Sequence, residues 1–227
     1  MSSVSTTYMR DLRYASDSAD FIRGYHQLEK ELLRICDFIE PADANISCYS
    51  HQLYSLLLRA STEFESNARA ILVANGYRRT GNWNVTDYYK LNEAMRLSDY
   101  TVTLPIWNGL HREIQPFAEW QQSSSLSWYQ SYNAVKHNRA SEFPSASFSN
   151  AVKAAAAVFV IVFAQFHMFT FHPSNIVEFH FENDGLLSHD SCLFQIKPPN
   201  TWTSDEEYDF DWPTLKNTPE PFQRFQF

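Results

Sequence analysis

Glycine is scarce, at 5 of 227 residues, and cysteine scarcer still, at 3. So few glycines leave few flexible joints in the chain and point to a rigid packed body. Cys36, Cys48 and Cys192 are widely spaced, odd in number and form no CxxC pair, so neither a zinc knuckle nor a redox couple is indicated. They read as reduced thiols in the core of a cytoplasmic protein. No GxxxxGK[ST], GxGxxG or GxSxG string occurs, which removes the usual supports for nucleotide hydrolysis, dinucleotide binding and serine hydrolase chemistry. His167, His172, His180 and His189 belong to no HxxxH or HExxH string, and no metal or cofactor is expected.

A signal peptide is also missing from the pattern. Met1 to Arg10 is polar and hydroxyl-rich, without an apolar stretch, which again favours the cytoplasm. Ala151 to Phe171 has the length of a bilayer crossing, but Lys153, Gln165 and His167 interrupt it. The clean apolar run from Ala154 to Ala164 is too short to span. A buried central helix, with no membrane partner, is the expectation.

Large rings are abundant instead. Phe, Tyr and Trp number 18, 12 and 6, within a chain that is 44% hydrophobic, so one core rich in aromatics is within reach. The formal net charge is -8, and the deficit is uneven. After Pro173 stand only Lys197, Lys216 and Arg224 against ten carboxylates, whereas His51 to Lys153 holds ten Lys or Arg against eight Asp or Glu. The middle of the chain can therefore meet phosphate without global repulsion.

Periodicity predicts the elements. Ser18 to Ile39 carries Phe21, Ile22, Tyr25, Leu28, Leu32 and Ile35 at helical spacing and stops before Pro41. Ser47 to Ala74 carries Leu53, Leu56, Leu57, Ala60, Phe64, Ala68 and Ile71 on one face, with Asn75-Gly76 as its stop. Tyr77 to Pro116 reads as a structured connector with a short helix around Thr86 to Leu97 and an extended piece at Thr101 to Leu104. Helices resume at Ser125 to His137 and Phe148 to Phe171. Alternation from Ile176 to Glu182, then Asp184-Gly185 and Cys192 to Ile196, predicts a β-hairpin. The expected fold is mainly α: a helical bundle over 1–172, then over 173–227 a small C-terminal hairpin and an extended acidic aromatic arm packed on the bundle.

The most distinctive string is Trp128-Tyr129-Gln130-Ser131-Tyr132-Asn133-Ala134-Val135-Lys136-His137-Asn138-Arg139. Trp128, Tyr132 and Val135 share one helical face, and Asn133, Lys136 and His137 share another. His137 exchanges a proton near neutral pH, Arg139 offers a phosphate-binding fork, Lys136 a point charge, and Asn133 an amide to orient the imidazole. Together they suit RNA strand cleavage, with His137 as general acid or base and Arg139 stabilising the phosphorus centre. The same cations also complement a helix C-terminus without any chemistry. On the preceding long helix Arg59, Glu63 and Asn67 recur every four residues; Glu63 and Asn67 either face His137 and Arg139, or form a surface Arg59 to Glu63 pair beside a locally bonded Asn67.

With Leu57-Leu58-Arg59-Ala60-Ser61-Thr62-Glu63-Phe64-Glu65 on one helix and Tyr132 to Arg139 leading into the last apolar helix, residues 20–171 resemble the HEPN superfamily of small helical bundles. In this chain His137 precedes Arg139, the reverse of that family's usual order. The resemblance implies a homodimer with its polar motif at the interface, acting in a prokaryotic defence or toxin system. It further implies a metal-independent endoribonuclease or a non-catalytic RNA-binding relative, with His137, Arg139, Asn133, Lys136 and Glu63 as the site. The other expectation is a protein-interaction module whose acidic arm, Ser204 to Trp212, captures a basic partner. In a third arrangement Trp202, Tyr208, Phe210 and Trp212 simply pin the arm to the bundle.

Overall fold

A computed structural model describes residues 11–14, 16–166, 180–181, 185–188, 193–202 and 211–227. Its organising element is a helix that is buried around most of its circumference. Helix α7 (Phe148–Phe166) buries Phe148, Ala151, Val152, Phe166 and the whole run from Ala154 to Phe163. It is long and apolar enough to cross a membrane, yet 72% of its most apolar window is covered by the rest of the fold. The expected extension to Phe171 lies outside the described residues.

Three helices supply most of that cover. Helix α1 (Ser18–Cys36) is amphipathic and turns Tyr25, Leu28, Leu32 and Ile35 inward. Helix α2 (His51–Ala74) starts where the Ser50 side chain accepts from the backbone N–H of Leu53, and it ends at Asn75, with Gly76 left-handed at φ +88°. Its inner face is Leu53, Leu56, Leu57, Ala60, Phe64, Ala68, Ile71 and Leu72. Helix α5 (Ser127–His137) buries Trp128, Tyr129, Tyr132 and Val135. Its first turn lacks a side-chain cap of its own; Glu119 supplies a carboxylate to the Ser127 N–H at 2.5 Å.

The connector is more broken than periodicity indicates. A helix expected near Thr86 to Leu97 is two short ones, α3 (Val85–Tyr88) and α4 (Leu91–Met95). Asn84 opens α3 with a capping box shared with Asp87, and Arg96 in the left-handed region (φ 49°) stops α4. Two short helices finish the set, α6 (Arg139–Glu142) and α8 (Trp212–Leu215).

The expected hairpin is present as β3 (His180–Phe181) against β4 (Leu187–Ser188), with Gly185 at φ +75° in the connection. The sheet is wider than a hairpin. Strand β5 (Gln195–Lys197) joins β4, and beyond it lie β1 (Thr101–Thr103) and β2 (Glu113–Ile114) from the connector, in the order β2-β1-β5-β4-β3. All pairings are antiparallel, with Val102 opposite Ile196 and Ile114. The second strand read near Cys192 to Ile196 therefore pairs with β4 and β1 rather than with β3, because the connector offers it an edge. Phe194 packs on Phe159 with tilted rings at 5.7 Å, so the sheet covers one side of α7. Glu29, almost fully buried on α1, accepts from Tyr25 Oη at 2.8 Å and from the backbone N–H of Leu193, tying α1 to the same region.

Phe64 is the aromatic hub of the other end. Its ring meets Tyr88, Phe117, Trp120, Trp128 and Tyr129, with centroids between 5.4 and 6.4 Å. Trp128 Nε1 donates to the Pro116 carbonyl at 2.8 Å, satisfying its one polar atom. Phe64→Ala removes the shared partner of these rings and is expected to lower stability by about 3–5 kcal/mol. Urea unfolding measures this as a lower midpoint at unchanged slope.

Candidate functional site

Helix α5 ends at His137, where Asn138 (φ -142°, ψ 66°) breaks the backbone before α6 begins at Arg139. The break leaves Lys136, His137, Asn138 and Arg139 exposed together at one corner of the bundle. Tyr49 is bridged antiparallel to Ser147, which brings the start of α2 to the same corner. There the rings form a continuous ledge. Phe143 lies 5.5 Å from Tyr49, 4.8 Å from His51 and 6.1 Å from Tyr54. The Arg139 guanidinium stands over the Tyr54 ring at 5.9 Å. Tyr49 is 51% exposed, so the ledge presents π-faces to solvent beside an arginine and an imidazole.

The five residues marked by sequence do not form one hydrogen-bonded cluster. Among the described residues no hydrogen bond joins Asn133 or Arg139 to His137, and the His137 ring has no side-chain partner. Lys136 turns away from the phosphate role expected of it. Its Nζ donates to Tyr132 Oη at 2.8 Å and lies 4.9 Å from that ring's centroid, and the Tyr132 hydroxyl holds its pKa above the ordinary lysine value. Glu63 is not part of the corner: a methyl group on Gly24 would sit 2.7 Å from its Oε2, so its carboxylate lies against α1. Arg59 pairs with Glu31 of α1 rather than with Glu63. Asn67 is fully buried and does bond locally, donating to the Glu63 carbonyl at 2.8 Å. Helical phase explains the difference, since α5 packs on the side of α2 that carries Phe64 and Glu65.

Glu65 is the carboxylate that meets α5, and residue spacing alone did not mark it. Tyr129 Oη donates to Glu65 Oε1 at 2.6 Å, and Tyr129 lies 5.4 Å from Tyr132 and 6.4 Å from Tyr88. Burial, with the Glu65 hydrogen bond second, drives the Tyr129 phenol far above its ordinary pKa, so it stays protonated and donating. Burial also raises the Tyr88 phenol above its ordinary pKa. These groups position α5 from below and do not reach the exposed corner.

A second polar assembly went unmarked because its members are remote in sequence. Asp43 accepts from Trp107 Nε1 at 2.8 Å, from the backbone N–H of Leu110 at 2.8 Å and of His111 at 3.1 Å, and from His111 Nδ1 at 2.9 Å. Gly109, at φ +134°, is required beneath it, since any Cβ there would overlap the Asp43 carboxylate. The Trp107 hydrogen bond, then that of Leu110, holds the Asp43 pKa well below the carboxylate range. Asp43 is a loop clamp that fixes β1 and β2 to the start of the bundle.

The acidic arm reaches back to the body where it is described. Arg96 Nη1 donates to Thr201 Oγ1 and its carbonyl at 2.8 Å, with the guanidinium 4.5 Å over Trp202. Trp212 stacks on Phe222 at 5.5 Å, and the Phe225 N–H bonds Asn75 Oδ1 at 2.8 Å. Trp202 thus meets the body through Arg96, whereas Trp212 is faced by the Arg13 guanidinium at 5.6 Å and by Phe222 of the arm itself. Tyr208, Phe210 and the acidic stretch between Ser204 and Phe210 lie outside the described residues. Cys36 and Cys48 are free thiols, and burial pushes Cys36 up to about 11; Cys192 lies outside the described residues. Compared with protein-family models, curated proteins and solved structures, the chain has no match.

The Asp43 clamp carries a signed pH dependence. A carboxylate depressed in the folded state stabilises fully above its unfolded pKa of about 3.9, and that contribution fades as pH falls toward the folded value. Asp43→Asn is therefore expected to lower Tm at neutral pH, with the gap from wild type narrowing as pH drops below about 4. Thermal melts of both proteins at several pH values check this.

Proposed function

We propose that the chain is a HEPN-like RNA-binding protein whose contact surface is the ledge at the α5–α6 corner. The observation that carries this reading is the Arg139 guanidinium over Tyr54, set against the half-buried Tyr54 and Phe143 and the exposed Tyr49 and His51, two residues along the chain from His137. Unpaired bases stack on aromatic faces whatever their sequence, and an adjacent guanidinium neutralises the phosphate between them. A duplex hides those faces, so single-stranded RNA is the form the ledge fits. His137 and His51 bring two imidazoles to this corner, and His137 is the one through which strand cleavage would run. Asn133 flanks it on the same helix. Homodimerisation and cytoplasmic action in a prokaryotic defence system belong to the same proposal and rest on the family resemblance.

Stacking contributes about 1–3 kcal/mol per base, so Tyr54→Ala is expected to weaken binding of a labelled single-stranded RNA roughly 5- to 150-fold. Arg139→Ala is expected to weaken it and to flatten its salt dependence by about one phosphate contact. Fluorescence anisotropy across a salt series reads both, and unchanged affinity in both variants rejects the ledge. On total cellular RNA, His137→Ala is expected to abolish cleavage while retaining binding; equal cleavage by wild type, His137→Ala and Arg139→Ala removes both residues from any mechanism.

A further inference from the structure

Helix α7 carries a single charged residue, Lys153, in its second turn. Its chain neighbours Val152 and Ala154 are buried and Lys153 is itself half-buried, yet it forms no ion pair with any described residue. An ammonium so placed loses water without gaining a counter-charge, a cost that a bound anionic group removes. Lys153 lines a cleft of about 250 Å³ between α7 and β2. At about 30 Å³ per water the cleft holds roughly eight waters, the bulk of a molecule of about eight to ten heavy atoms.

The wall contributed by the connector has the opposite character. Glu113 on β2, unpaired like Lys153, supplies a carboxylate. Gln115, two residues on, donates its Nε2 to Thr101 Oγ1 at 3.1 Å, which leaves its side-chain oxygen as an acceptor. His111, two residues before Glu113, is bonded through Nδ1 to Asp43 at 2.9 Å, so in the neutral ring Nε2 is an acceptor too. Most of the remaining lining is apolar: Ile46, Ile114, Val152 and the ring of Trp107, which Asp43 holds at its indole nitrogen.

We propose that this cleft binds a free α-amino acid with an aliphatic side chain such as that of leucine. Lys153 takes the α-carboxylate. Glu113, Gln115 and His111 offer acceptors to the N–H donors of the α-ammonium, and the apolar lining takes the side chain. A bare anion would meet Glu113, and a bare cation would meet Lys153. A neutral apolar molecule would leave both charges uncompensated, whereas a zwitterion answers both. The inference uses no part of the RNA reading and stands or falls apart from it.

Isothermal titration calorimetry at neutral pH compares L-leucine with isocaproate, which lacks the ammonium, and with isopentylamine, which lacks the carboxylate. Wild type is expected to bind L-leucine roughly tenfold or more tightly than either analogue, a comparison that needs no variant. Lys153→Met is expected to weaken L-leucine by roughly tenfold or more. Glu113→Gln should weaken it similarly and bring L-leucine and isocaproate to the same affinity. Neither side chain makes a hydrogen bond or ion pair with a described residue, so the fold should persist, and circular dichroism melts verify it. No binding of L-leucine by wild type, equal binding of isocaproate by wild type, or unchanged L-leucine affinity in either folded variant overturns the proposal.

Discussion

A helix that is apolar around its whole central run, as α7 is from Ala154 to Phe163, cannot rest on a surface; it has to be enclosed. That requirement, imposed by α7, arranges everything else in this molecule. From Ala154 to Phe163 every residue is buried, and a run of four alanines lets neighbouring backbones approach closely. Helices α1, α2 and α5 enclose part of its circumference. The remainder is closed by the small sheet, through Phe194 on Phe159, and by Tyr100 against Phe163 at 6.3 Å. Chain segments as distant as β1 and β5 are paired because both are needed over the same apolar surface.

Enclosure also decides where function can lie. With the central run of α7 sealed, the polar chemistry is displaced to the outer shoulder of α2, whose inner face is committed to α7, and to the first turns of α7 itself. The shoulder meets the α5–α6 corner and carries rings with Arg139; the first turns carry Lys153, across a cleft from β2. The Phe64 cluster and the Glu65 to Tyr129 hydrogen bond hold α5 at its place on α2 and so set the position of that shoulder. Asp43 acts similarly at the base of the sheet, drawing three loop N–H donors and an imidazole to one carboxylate. Rigid anchoring beneath exposed side chains keeps their arrangement preformed.

The long helices were legible in advance because each buries one stripe, and burial leaves a period in the sequence. Leu53 to Ile71 reads as α2 within a few residues of its observed bounds and Asn75-Gly76 marks its real end, while α1 stops at Cys36, short of the expected Ile39 and ahead of Pro41. The connector was not legible. Its course depends on Arg96 adopting a left-handed backbone and on Asp43 reaching residues more than sixty positions away, and neither leaves a local pattern. The candidate site divides in the same manner. The exposed string from Lys136 to Arg139 is visible as an interruption of helical pattern, whereas the rings that make a ledge of it, Tyr49, Tyr54 and Phe143, come from two other segments.

By itself the sequence determined the number and phase of the long helices, the apolar central run of α7 and the concentration of acid in the C-terminal segment, since these follow from side-chain type and spacing along one chain. Tertiary structure alone decided which face of α2 meets which neighbour. That choice turned Glu63 toward α1, gave Glu65 to Tyr129 and set Arg139 over Tyr54. The physical reason is that pairing across elements depends on the rotation of one helix against another. That rotation is set by how the rings around Phe64 interlock, a property of no single segment.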